Sequence, residues 1–295
     1  MMQQAKFVAP KPILISRRII AVLSAAILCL SCAAASRENS PKPATMELPS
    51  SARPIELEQL LGPSKVVFVG EVHGTVEMPA AFAELVIEAA KSRDILVILE
   101  FPTTVAPLLT QLSISNERDS ALQSIASSGF FKKTNDGRTS GSMLKMITAL
   151  SERSDTSGPI EFAAMDKPGS AGASREEAMA IAVKEARLAH PNTTLFVYCG
   201  NLHARITPDP AMPYGDSLAS QLIADGLDVT GIRLLAEGGT FWGCTASGCG
   251  ENNLPEPNPL SKPLPAGKLF PSSDSRYSFD MNVGRATAAP PLRQN

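Results

Sequence analysis

The sequence predicts an α/β protein: three layers, α/β/α, around a mainly parallel sheet. Three observations carry that expectation. Short apolar runs rich in Val, Ile and Leu recur without polar alternation, the pattern of strands buried on both faces. Stretches of helical periodicity separate them, so strand and helix alternate along the chain. Four of the strands close on a carboxylate or an imidazole, which a buried strand tolerates only where it emerges, at its carboxyl end.

The chain has 295 residues, a formal net charge of −2 and 44% apolar residues. That is ample for one large domain, expected over residues 52–290, and the balanced charge excludes the basic footprint of a nucleic-acid binder. Residues 1–35 read as a signal peptide. Lys6, Lys11, Arg17 and Arg18 precede an apolar run over 19–31 that is too short for an ordinary membrane span. Ala33, Ala34 and Ala35 supply a small-residue site for ordinary signal peptidase. Leu30, Ser31 and Cys32 instead resemble a bacterial lipoprotein box with Cys32 as the lipidated residue, although Cys29 stands where leucine is usual. Either route places the mature protein outside the cytoplasm, in the periplasm or anchored to the cell envelope by lipid, and the expectation leans to the lipoprotein. Residues 36–51, rich in Ser, Pro and Ala, read as a disordered tether.

A short helix over 55–61 is expected to lead into the first strand, 66–70, which stops at Glu71 and His73 between Gly70 and Gly74. In extended backbone, positions 71 and 73 point the same way. The two glycines would let the chain turn and a ligand come close. Pro79 opens a helix to about residue 92, with Phe82, Leu85, Val86 and Ala89 on one face. The second strand, 95–102, carries Glu100 at its exit, because Pro102 blocks further ladder pairing.

Residues 105–150 read as irregular helix, interrupted at 129–137 by a turn-rich insert with Phe130 and Phe131. That insert suits a lid or substrate wall, and equally an ordinary surface excursion. The third strand, 160–166, ends at Asp166. The helix 175–190 follows, with His190 favoured by the dipole at its carboxyl end. A fourth strand from residue 195 carries Gly200, Asn201 and His203, a second apolar run closing on Gly, a polar residue and His. A helix near 217–225 and strands at 229–235 and 277–283 complete the order. Cys244 and Cys249 are spaced to close a small disulfide loop in an oxidising compartment, with a zinc clip as the rival, and Cys199 reads as inert packing.

Glu71, His73, Glu100 and His203 are therefore the candidate catalytic residues, with Asp166 beside them. A carboxylate-oriented histidine can take a proton from water while a second acid protonates the leaving group. The same residue types also suit a divalent metal that activates water. The sequence contains no HExxH, GxSxG or P-loop pattern, so those hydrolase and nucleotide chemistries are excluded.

The ordered set of Gly70, Glu71, Val72, His73 and Gly74, then Glu100, then Gly200, Asn201, Leu202 and His203 resembles a known superfamily. It joins the erythromycin esterases, the ChaN-type haem-binding lipoproteins and the Tiki/TraB proteins. The resemblance spans about residues 66–204, with the stretch 280–291 as a further piece. It implies a three-layer α/β fold whose histidines and glutamates face one cleft. It also implies His73 as the water-activating residue of the esterase branch, Glu71 and Glu100 as its acidic partners, and His203 as the second histidine. That branch carries an arginine a few residues before the glutamate. Here Leu96 and Val97 occupy that region, with Arg93 further back. The haem-binding branch implies a surface lipoprotein of iron uptake that often uses a tyrosine, for which Tyr198, Tyr214 and Tyr277 are the candidates. The leading expectation is an exported hydrolase-like protein acting on a small ester, lactone or amide. The alternative is a haem- or metal-binding protein of the cell envelope without turnover, and an inactive surface scaffold is the third possibility.

Overall fold

The computed structural model describes residues 53–153, 160–209, 215–246, 248–256 and 263–292. These lie within one compact unit, 46–295. The expected leader, Cys32 and the tether lie outside the described residues. No helix among the described residues is long and apolar enough to cross a membrane.

Strand β1 (Val66–Glu71) is buried along its whole length. Its side chains alternate as period two requires: Val67 and Val69 join one core cluster, Val66 and Phe68 the other. The same division holds for β2 (Ile95–Pro102) and β4 (Thr194–Gly200). One face is covered by α1 (Glu77–Ala90), α2 (Ala106–Gln111), α3 (Arg118–Ser127), α4 (Gly129–Lys133) and α5 (Gly141–Arg153). The other face is covered by α6 (Ala173–Ala189) and α7 (Leu218–Ala224). The remaining strands of the main sheet are β3 (Ile160–Asp166), β5 (Val229–Leu235), β8 (Leu269–Pro271) and β9 (Phe279–Asn282). A separate hairpin pairs β6 (Thr240–Thr245) with β7 (Gly248–Asn253).

The main sheet runs β3-β2-β4-β1-β5-β9-β8, parallel except for β8, which is antiparallel to β9. The predicted three-layer α/β/α fold with a mainly parallel sheet is therefore the observed one. Parallel strands present their carboxyl ends at one edge: Glu71 lies beside Gly200, and Asp166 beside Pro102. The β2–β3 register shifts between Leu99 and Pro102, the stretch that holds Glu100. An irregularity of this kind re-aims a side chain at the strand exit.

Several local expectations are corrected. The chain at 55–61 is a 3-10 turn, Leu57–Leu60, and Ile55 instead bridges to Leu269. The fourth strand stops at Gly200, and His203 sits in the turn beyond it, its amide bonded to the Gly200 carbonyl. The insert at 129–137 is helical through Lys133. Phe131 is buried, and Phe130 and Phe131 both stack against Phe101, so the segment is part of the wall of the core. The hairpin and β8 were not anticipated. Cys244 and Cys249 form a disulfide across the hairpin, and Cys199 is a free, buried thiol.

Candidate active site

The four predicted residues meet at the carboxyl edge of the sheet. His73 and Glu71 point the same way, and His73 Nδ1 lies 2.8 Å from Glu71 Oε1. The other glutamate oxygen accepts the Tyr198 hydroxyl at 2.5 Å. Tyr198 reaches it because β4 pairs with β1 in register, Val69 beside Tyr198. On its other side His73 offers Nε2 to Glu100 Oε2 at 3.3 Å. His203 faces the second oxygen of Glu100, Nε2 to Oε1, at 3.6 Å. The His203 Nδ1 stands 2.7 Å from Glu176 Oε1, close but off the direction of a straight hydrogen bond.

Glu100 is the hub. Its Oε2 also accepts from the Gly200 amide at 2.8 Å, and its Oε1 from Arg175 Nη2 at 2.7 Å and Arg138 Nη1 at 3.2 Å. Both guanidinium groups bind Asp166 as well, Arg175 Nη2 at 2.8 Å and Arg138 Nη1 at 3.2 Å. Arg138 is steadied from behind by Asp136. Of the two histidines and Glu100, His73 is the most open, with 26% of its side chain exposed, against 11% for His203 and 6% for Glu100.

Burial alone would push both imidazoles towards the neutral form; the facing carboxylates prevail. For His73, Glu100 and Glu71 together raise the pKa to about 10. For His203, Glu100 and Glu176 raise it to about 9. Burial also opposes ionisation of Glu100, yet His203 and His73 hold its carboxyl well below the usual range. These shifts favour the protonated form of both imidazoles beside an ionised Glu100 at neutral pH. Burial, with Glu71 next, pushes the Tyr198 hydroxyl well up, so it remains a donor. Burial likewise pushes the Cys199 thiol well up, which suits inert packing.

The room beside the motif glycines is filled by protein, against the expectation that a ligand would approach there. A Cβ on Gly70 would lie 2.8 Å from Asn201 Oδ1, and one on Gly74, at φ +81, would meet the Trp242 carbonyl at 2.0 Å. Arg138, Arg175 and Glu176 were not singled out as site residues by sequence reasoning, and Tyr198 only as a candidate haem ligand. The only signal for Arg175 and Glu176 was position, since they open the helix that follows the β3 exit.

A divalent metal does not fit this arrangement. The carboxylates that would bind it, Glu100 and Asp166, already hold two guanidinium groups. No three His, Cys, Asp or Glu among the described residues are placed to share one ion. The described tyrosines do not offer a free haem ligand either. Tyr198 is buried on Glu71, and Tyr277 donates to the Asn201 carbonyl at 2.9 Å. Tyr214 lies outside the described residues. His190 is remote from the cluster, 3.5 Å from Glu161 at the end of α6.

No family model and no curated protein matches the sequence. Solved structures do. A Bacillus cereus protein from a structural genomics programme superposes with a TM-score of 0.56 at 10% identity, covering 82% of this chain and 97% of its own. A succinoglycan biosynthesis protein gives 0.58 at 11% identity, over 82% and 96%. A mutant erythromycin esterase in its open conformation gives 0.41 at 13% identity, over 79% and 78%. The first two share the fold with this chain.

Proposed function

We propose that the chain is an exported hydrolase-like protein that uses His73 to activate water against a small ester, lactone or amide. The observation that carries this reading is the clamp on His73. Its Nδ1 is held by a buried glutamate that is itself fixed by Tyr198, while the ring is more exposed than His203 or Glu100. Such a carboxylate sets the tautomer and orientation of an imidazole, so that proton transfer falls to Nε2, which rests 3.3 Å from Glu100 Oε2. Export, with Cys32 as a lipid anchor, completes the proposal; mass spectrometry of protein from the native host should show a chain beginning at a lipidated Cys32, or at Ser36.

The raised His73 pKa gives this role a distinctive pH dependence. A base must be neutral, and at neutral pH nearly all His73 is protonated. Turnover should climb about tenfold per pH unit below the His73 pKa and level off near it. On a panel of esters and lactones, His73→Ala should lower turnover by roughly 10²–10⁴-fold, and Glu71→Gln by less, with the fold retained in both. Wild-type turnover indifferent to His73→Ala would refute the assignment. Saturable haem binding with no turnover across the panel would replace it with the binding role.

A further inference from the structure

The site is built from two matching halves, and only one half was visible in the motifs. In the first, Glu71 holds His73 Nδ1 at 2.8 Å and has its other oxygen fixed by the Tyr198 hydroxyl. In the second, Glu176 stands 2.7 Å from His203 Nδ1 and has its other oxygen fixed by the Leu218 amide at 2.9 Å. Both imidazoles then turn Nε2 to Glu100, one to each oxygen. Glu176 is 1% exposed, in the first turn of α6, and His203 Nδ1, although 2.7 Å from Glu176 Oε1, makes no straight hydrogen bond among the described residues.

We infer that Glu176 is a positioning residue of the site, holding His203 with Nδ1 protonated so that Nε2 is the nitrogen that exchanges a proton beside Glu100. This rests on the reading that the cluster performs proton transfer. Even off the straight line, a lone pair on Nδ1 would lie 2.7 Å from a carboxylate oxygen and be repelled by it, whereas an N–H there is attracted in either charge state of the ring. The Nε2 atom is different, because its neighbours favour opposite states. Arg175 Nη1, at 3.2 Å, can donate only into a free lone pair. Glu100 Oε1, at 3.6 Å, can accept only from an N–H. The charged groups around the ring are thus Glu176 and Arg175 from α6 and Glu100 from β2. Asp166 of β3 lies behind Arg175, and Arg138 and His73 lie across Glu100. Burial lowers the proton affinity of His203, but Glu100 and Glu176 outweigh it and raise the resting affinity.

Nitrogen-15 spectra of the histidine-labelled chain test this directly, since there are only three histidines and His190→Asn identifies the remote one. In the wild type, His203 Nδ1 should stay protonated on both sides of the titration while Nε2 alone changes. Glu176→Gln keeps an acceptor for the Leu218 amide and removes the charge. It should lower the His203 midpoint by a pH unit or more, a tenfold loss of proton affinity, and move His73 less. A wild-type His203 whose neutral form carries its proton on Nε2 would overturn the inference, as would an unmoved midpoint in folded Glu176→Gln. If that variant does not fold, the wild-type tautomer still decides. None of the spectra needs a substrate, so they separate a failure of this inference from a failure of the hydrolytic reading.

Discussion

At the scale of single residues, the legible part of the site is the part where spacing in the chain equals spacing in the fold. Glu71 and His73 are two apart in extended backbone, so their pairing could be read directly. Glu100 and His203 could be read as strand endings. Glu176 could not, because an acidic residue in the first turn of a helix already has a sufficient explanation in the helix dipole. Arg138 and Arg175 both bind Glu100 and Asp166, and nothing local in the sequence announces them. The protonation of the two histidines also has a consequence for stability. His73 and His203 bind protons more tightly folded than unfolded, from an ordinary 6.5 to about 10 and about 9. Their contribution is complete below about pH 6.5 and is lost as the pH rises through 9 to 10. Glu100 acts oppositely, its contribution being present above the ordinary carboxylate range and lost on acidification through its lowered pKa. Urea midpoints should therefore be highest between about pH 5 and 6.5 and fall towards pH 10, by a loss on the order of a few kcal/mol. In His73→Ala the alkaline fall should shrink to the share of His203.

At the scale of elements, the buried strands of the main sheet were legible because continuous valine and isoleucine admit few other readings. The hairpin β6–β7 was not. Its residues are mostly half-buried or exposed, and its sequence is rich in Gly, Asn and Cys with no apolar alternation. Yet it braces the site. The Trp242 indole donates to the Asn135 carbonyl at 2.9 Å, and its amide donates to the Gly74 carbonyl at 2.8 Å. Asn135 directly precedes Asp136, two residues before Arg138, and Gly74 directly follows His73. The chain from 286 to 292 adds a strap, with Ala289 N on the Gly74 carbonyl and Leu292 N on the Thr139 carbonyl, both at 2.8 Å. Closing so short a ring with the Cys244–Cys249 disulfide contributes about 2 kcal/mol at most. Its reduction should leave the main sheet folded. Hydrogen exchange should then speed up across 240–253 and spread to 135–138, while amides of β1, β2 and β4 keep their protection. Protection at 135–138 unchanged on reduction would show that the hairpin does not brace the Arg138 loop.

At the scale of the whole molecule, strand order is the feature that the sequence could not reveal. Alternating strands and helices foretell a parallel sheet, but the order β3-β2-β4-β1-β5-β9-β8 is decided by which crossovers pack best across the entire chain. That order sets β1 between β4 and β5, and β2 between β3 and β4, so no strand bearing a site glutamate is complete without partners from far along the sequence. Folding is consequently dominated by distant contacts, which close slowly because loop entropy is lost before any pairing is gained. Glu71, Glu100 and His203 have no native arrangement in a chain that has formed only its local helices. On dilution from denaturant, helical signal should return early. The high proton affinity of the histidines, followed as proton uptake at pH 8, should return only with the final, slowest phase. Until β4 slides in between β1 and β2, the chain holds every reactive group it will ever have and none of the chemistry.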